Sequence, residues 1–301
     1  MGKNKSLFYQ MKTACDTFVP NFDKHSDKRQ EHDNSHVIKS LQSKTNILDF
    51  AHQFTDYVKT EFPEVKKISG ITPEICQSFI DKKCNEGCTE KTVKAYQSLL
   101  NKIEICVNHR FHSNVNYRTE INKELIQERT SIKDFAFTNA EMEKILDYKG
   151  RSQCIDVVKF NSVVGCRINT CDKIKVQDVS IRNNDTFIHV RNDKGGRFRT
   201  VVIENNKEFA DFCRELRSGK NPNDRLFSVK SDSVNKFIRR RASALGIRTP
   251  DGQVKSGNHS IRKNVATNLY RKTGSGSTVS QFLGHGKCRP DIERAYIKDG
   301  V

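Results

Sequence analysis

No stretch of the 301 residues approaches the run of about 18 apolar side chains that a membrane-spanning helix needs. The opening MGKNKSLFYQ lacks the apolar core of a secretory signal, and although MGKNKS fits the loose M-G-x-x-x-[ST] acylation pattern, so short a match specifies nothing alone. The ten cysteines form no paired framework of the kind that staples small exported domains. Cys84, Cys88, Cys106 and His109 spell C-x3-C and C-x2-H, but this spacing fits no compact zinc motif. Cys88 follows Gly87, where an apolar residue would pack behind a new helix, so these thiols read as small buried hydrophobes. These absences argue against a membrane-spanning helix and a disulfide scaffold. They lead us to expect reduced thiols in the cytoplasm, no metal and no cofactor.

What the chain has in excess is positive charge. Lysine and arginine number 53 against 36 aspartates and glutamates, giving a formal net charge of +17 and a pI near 9.4. That exceeds what solubility requires and points to a polyanionic partner, nucleic acid before an anionic membrane surface. The length suffices for two domains with separate cores.

Hydropathy patterning divides the chain. Residues 1–43 are polar and without sustained period, and read as an N-terminal arm. Residues 44–113 are helical in pattern. ILDFAHQFTDYVKTEF sets Ile47, Phe50, Ala51, Phe54 and Val58 on one face, with Pro63 beyond its end. In ITPEICQSFIDKKCNEG, Thr72 suits a cap, Pro73 the first helical position and Gly87 the exit. Thr89 suits the cap of a third helix carrying Val93, Tyr96, Leu100, Ile103 and Val107. Residues 114–136 are highly charged and weakly periodic, as a linker would be.

The second domain, 137–301, opens with Thr138 and Glu141 at capping-box spacing. A helix near 152–164 leads into GCRINTCDKI. DVSI, TFIHV and FRTVVIE, separated by RNND and NDKGGR, predict a small antiparallel meander, and helical patterns resume from Glu208. The expected fold is mainly α with one embedded three-stranded β-meander.

The polar residues of this domain suggest a chemistry. Arg167, just after Gly165, is placed to reach a phosphate oxygen, although a surface arginine would look the same. Lys194 lies in a glycine-bearing hairpin turn that lets backbone approach a ligand, or simply in a solvated basic tip. In HSIRK, His259 and Arg262 stand at i and i+3 on one helical face, which converges two groups on one anion or merely opens an exposed helix. His285 in FLGHG suits the lip of a cleft, and Tyr296 follows. In this order the six make a site for phosphoryl transfer. Arginines and histidine neutralise nonbridging oxygens, the tyrosine hydroxyl attacks phosphorus, and the lysine protonates the departing 5′-oxygen, with no metal required.

The ordered set R…K…HxxR…GH…Y resembles the tyrosine recombinase (phage integrase) family. GCRINTCDKI is similar to its first arginine box, DKGGRFR to its hairpin lysine, HSIRKNVATNLY to its HxxR box, FLGHG to its second histidine box and ERAYIKDG to its nucleophile box. GITPEICQSFIDKKCNEGCTEKTVKAYQSLLNKIEICV is similar to its helical, SAM-like core-binding domain. The resemblance implies a two-domain C-shaped clamp on double-stranded DNA. It makes Tyr296 the nucleophile, Lys194 the general acid, Arg167 and Arg262 the phosphate ligands, His259 the proton acceptor and His285 a support. It further implies a homotetramer on two sites with inverted repeats, aided by accessory bending or directionality factors, and integration or excision of a phage or mobile element. An Xer-like dimer resolvase, a strand-relaxing type IB topoisomerase and a catalytically silent DNA-binding regulator are the other readings. Two positions depart from the family: Lys263 stands where histidine is common, and Thr170 where an acidic residue usually orients the first arginine, a role that Asp172 could take. Candidate phosphate contacts are Arg197, Arg199, Arg239, Arg240, Arg241, Lys255 and Lys263, with Lys91, Lys94 and Lys102 in the helical domain.

Overall fold

The computed structural model describes residues 6–17, 37–38, 40–126, 135–193 and 197–285, the side chains of 192, 193 and 197 excepted. The chain divides into two compact units, Met1–Arg129 and Thr130–Val301. Among the described residues no helix is long and apolar enough to cross a membrane.

The first unit is helical: α1 (Leu7–Asp16), α2 (Leu41–Glu61), α3 (Pro73–Asn85) and α4 (Glu90–Phe111). The expected caps form, with Thr72 Oγ1 accepting from Ile75 N at 3.5 Å and Thr89 Oγ1 from Thr92 N at 3.4 Å. Phe79 anchors the core, its ring meeting those of Phe54 and Tyr57 edge-on at 5.2 Å and Phe50 at 5.8 Å. Cys84 and Cys106 are buried, Cys88 is partly buried and His109 is exposed.

Two segments differ from the reading of the sequence. Residues 7–16, read as part of a polar arm, are a helix capped by Ser6 that packs on α2 and α4. Leu7, Met11, Ala14 and Cys15, spaced i, i+4, i+7 and i+8, form its buried face, and Ile38 is buried in the same core. The helix is short and set among charged residues, which dilutes its period. Residues 114–126, read as the start of a linker, also lie against this unit. They are held by side chain to backbone bonds rather than by an apolar period: Gln97 Nε2 donates to Thr119 O at 2.8 Å, and Glu120 N to Gln77 Oε1 at 2.8 Å. Tyr117, 2% exposed, is their one buried ring.

The second unit begins with α5 (Asn139–Leu146), whose capping box closes in both directions: Glu141 N donates to Thr138 Oγ1 at 3.1 Å, and Thr138 N to Glu141 Oε2 at 2.8 Å. There follow α6 (Gln153–Val164), α7 (Ile168–Cys171), β1 (Val179–Arg182), β2 (Asp185–Asp193), β3 (Arg197–Ile203), α8 (Lys207–Arg217), α9 (Ser231–Ala244), α10 (Asn258–Thr273) and α11 (Gly276–Leu283). The sheet is antiparallel in the order β1-β2-β3, with Ser180 opposite Phe187, Phe187 opposite Val202, and an irregularity between Val190 and Asp193. Ile188, Val190 and Val201 face the core. Helix α10 is the hub, packed on α6, α9 and α11.

Candidate active site

The site grows from the end of α6. Gly165 closes that helix in the left-handed region at φ +62°, its N–H donating to Asn161 O at 2.9 Å. A Cβ there would stand 3.1 Å from Val265 Cγ1 on α10 and 3.2 Å from Leu283 Cδ2 on α11, so glycine permits both the turn and the close approach. Cys166 is buried next to it, and Arg167, half-buried, occupies the position just before α7.

Arg262 projects from α10 into this junction and is fully buried. Its Nη1 donates to Gly165 O at 2.5 Å and its Nη2 to Leu283 O at 2.6 Å. Nη2 also lies 3.2 Å from His285 Nε2. A guanidinium only donates, so a hydrogen bond across this contact has His285 Nε2 as its acceptor. His285 follows Gly284, which closes α11 at φ +72°, and its own N–H donates to Ser280 O at 2.8 Å.

A second set of bonds fixes the start of α10. Asn258 Nδ2 donates to Cys166 O at 3.0 Å, and Asn161 Nδ2 to the same carbonyl at 2.8 Å and to Asn258 Oδ1 at 2.6 Å. From β3, Arg199 donates to Phe282 O and, at 3.5 Å, to Cys166 Sγ. The segments that carry Arg167, His259, Arg262 and His285 are thus joined by direct bonds, with His259 exposed beside Asn258. Lys194 and Tyr296 lie outside the described residues.

Two thiols, Cys166 and Cys171, lie buried beside the site. Cys171 is pushed well above the usual thiol range by its hydrogen bond with Cys166 and by burial, against the opposing pull of Arg262. The Asp172 carboxylate, expected beside Arg167, is engaged by the start of α9. Its Oδ2 accepts from the Ser231 hydroxyl and, at 3.3 Å, from Ser231 N at the start of α9. Thr170 is buried, 4% exposed.

The other basic candidates separate by burial. Lys91, Lys94, Arg239 and Arg240 are exposed, with Lys94 paired to Glu90 at 2.7 Å. Lys102 is half-buried and donates to Val37 O at 2.9 Å. Arg241 folds back onto Lys144 O and Asp147 O at 3.0 and 3.2 Å, over the Tyr148 ring. Lys255 is buried and paired with Glu141 at 2.9 Å, where it secures the capping box of α5. Lys263, 3% exposed, is buried because α10 is enclosed almost all round. In this structure neither of these two lysines presents an ammonium at the surface. Arg199 turns inward as described, and the Arg197 side chain lies outside the described set.

Asn161 and Asn258 were not singled out from the sequence. The available signal was a lone asparagine in the apolar run QCIDVVKFNSVV and a second one immediately before His259.

Residues 136–295 match the model of the Phage integrase family. The tyrosine recombinase XerA of Saccharolobus solfataricus is 26% identical over 150 residues, which cover 50% of this chain and 48% of that protein. The chain therefore spans about half the length of that relative. Among solved structures, the XerH site-specific recombinase bound to its difH substrate aligns with a TM-score of 0.62 at 19% identity, covering 96% of this chain and 91% of that one. A lambda integrase tetramer bound to a Holliday junction aligns with a TM-score of 0.63 at 15% identity, covering 96% and 80%. At such identities the likeness is one of fold.

Proposed function

Since the chain belongs to the phage integrase family, we propose that it is a site-specific DNA recombinase, breaking and rejoining strands through a 3′-phosphotyrosyl intermediate on Tyr296. The observation that carries this reading is the bonding of Arg262 to Gly165 O, Leu283 O and His285, which draws three motif segments onto one point.

Tyr296 Oη attacks the scissile phosphorus as the bond to the 5′-oxygen breaks. The phenolic proton passes to His259, and Lys194 supplies a proton to the departing oxygen. Arg167, at the half-buried rim, meets a nonbridging oxygen, while buried Arg262 and His285 form the preorganised wall behind it. Such donors are already fixed, so they need no reorganisation as charge develops. The reverse step, with the 5′-hydroxyl of another strand as nucleophile, restores the phosphodiester and frees the tyrosine. The number of phosphodiester bonds is conserved, and no external energy source is required.

Double-stranded DNA with inverted repeats is the partner, and Lys91, Lys94, Arg239 and Arg240 are exposed for phosphate contact. A homotetramer on two sites follows from an exchange that needs four cleavages, and the lambda integrase tetramer on a junction supports it. Accessory bending or directionality factors would act at the same sites, and the protein would work in the cytoplasm on nucleoid DNA. Integration or excision of a mobile element is the principal reading. An Xer-like resolution of chromosome or plasmid dimers is the second, favoured by the 26% identity to XerA. Recombination of a plasmid carrying two directly repeated sites, against a cross between two different sites, separates them.

The first test is covalent capture. A nicked suicide duplex, built on a site recovered by binding selection, is incubated with wild type and Tyr296→Phe. An SDS-resistant, protease-sensitive adduct in wild type only is expected. Tight binding without an adduct would instead assign a DNA-binding regulator, and an adduct that survives the substitution would move the nucleophile elsewhere.

A further inference from the structure

Two guanidinium groups tie the same pair of backbone segments together. Arg262, from α10, spans Gly165 O and Leu283 O. Arg199, from β3, spans Phe282 O and Cys166 Sγ. Residues 165–166 directly precede Arg167, and residues 282–283 are separated from His285 by Gly284 alone. Arg199 reaches this junction because strand alternation places it on the side of Val201, 2% exposed, and opposite Phe198 and Val202, which are 62% and 40% exposed. A planar fork with donors at fixed angles suits two acceptors on different segments, whereas a lysine ammonium is a point charge on a flexible stem.

We propose that Arg199 is a positioning residue for the phosphate cradle. It holds the Phe282–His285 turn against the Cys166–Arg167 turn, and thereby sets the cations that neutralise the scissile phosphate. The inference rests on the recombinase reading above. It differs from two simpler roles for a basic hairpin residue: touching DNA at the surface, and steadying the hairpin so that Lys194 can protonate the leaving group.

The test compares wild type with Arg199→Ala, Arg199→Lys, Arg262→Ala and Lys194→Ala, each as full-length protein, in single-turnover adduct formation. Three duplexes of one sequence are used, differing only at the cleavage position: a phosphodiester, a methylphosphonate and a 5′-bridging phosphorothiolate. The methyl group removes the negative charge that the cradle neutralises. The bridging sulfur gives a leaving group that departs without a proton.

Arg199→Ala is expected to be slowed about 10²-fold relative to wild type on the phosphodiester, the scale set by a small misplacement of reacting groups. The deficit should fall to about tenfold or less on the methylphosphonate, as for Arg262→Ala, by analogy with losing one preorganised donor. It should persist on the phosphorothiolate, where Lys194→Ala alone recovers. Equal deficits on all three duplexes would reduce Arg199 to a fold determinant and overturn the proposal. Recovery on the phosphorothiolate would reassign it to the lysine, and an unimpaired variant would remove it from the site. Should Arg199→Ala fail to fold by circular dichroism, Arg199→Lys, which keeps the charge and one donor, carries the same pattern at smaller amplitude. Absence of adduct with wild type on the phosphodiester would instead fell the recombinase reading, and this inference with it.

Discussion

Among the described residues, and tyrosines and cysteines apart, Thr55 is the one buried polar side chain of the helical unit, whereas the unit that carries the motif residues buries Asn161, Asp178, Lys255, Asn258, Arg262 and Asn264 among others. The helical unit relies on rings and small side chains, with Phe50, Phe54, Tyr57 and Tyr96 gathered around Phe79. Such burial is favourable without directional demands. Its candidate DNA contacts, Lys91 and Lys94, stand outside that core. In the second unit the two tasks fall on the same atoms: Arg262 holds two carbonyls of the fold and one histidine of the candidate site. Buried polar groups are tolerable only when their partners are met, since an unmatched one costs about 1–3 kcal/mol. The contrast teaches that the candidate DNA contacts of the first unit are separable from its stability, whereas Arg262 of the second is not.

The sharpest way to break that contrast is to remove the centre of each core. Phe79→Ala should destabilise by about 4 kcal/mol, the loss of a fully buried ring together with its cavity. Arg262→Ala should destabilise by about 3 kcal/mol, because two carbonyl acceptors lose their donor inside the protein. Hydrogen exchange by peptide should show lost protection in α2–α4 for the first variant, and in α6, α10 and α11 for the second. Covalent adduct formed per folded molecule should survive Phe79→Ala and vanish in Arg262→Ala. If Arg262→Ala abolished the adduct but left exchange in α10 and α11 untouched, Arg262 would be a phosphate ligand only, and the two units would be built alike.

Much of this was legible in the residues. Helix faces such as Ile47, Phe50, Phe54 and Val58, the caps Thr72, Thr89 and Thr138, and the three strands all follow from period and turn chemistry, because they are decided within a few residues of chain. The order and spacing of Arg167, His259, Arg262 and His285 were legible, and the segments that carry them meet in the structure. What escaped was decided at a distance. Lys255 reads as surface charge until Glu141, far away in sequence, is beside it. Arg199 reads as part of a basic tip because RFRTVVI has apolar residues in both registers, and only packing shows which face is inside. Asp172 sits near Arg167 in sequence, yet α9 brings Ser231 to its carboxylate. Helix α1 shows the reverse failure: its local pattern was present in Leu7, Met11, Ala14 and Cys15 but too brief to outweigh the charged residues around it.

The smallest expected effect gives the finest comparison, because it asks how much drift the second unit tolerates. Gly165 and Gly246 have nearly the same backbone, at φ +62° and +66°, but a Cβ on Gly246 would meet nothing within 4 Å. Alanine at Gly246 should therefore cost about 1 kcal/mol, the backbone penalty of the left-handed region. At Gly165 the same penalty is joined by a methyl group pressed on Val265 and Leu283, raising the total to about 2 kcal/mol. Thermal unfolding of the two variants measures the difference. Adduct formation should fall in Gly165→Ala beyond what stability explains, because the displaced carbonyl is an acceptor of Arg262 and Arg167 lies two residues on; Gly246→Ala should leave it unchanged. If the two variants matched in both measurements, the Gly165 junction would be as forgiving as a surface turn, and the coupling of fold to chemistry in this unit would lose its ground.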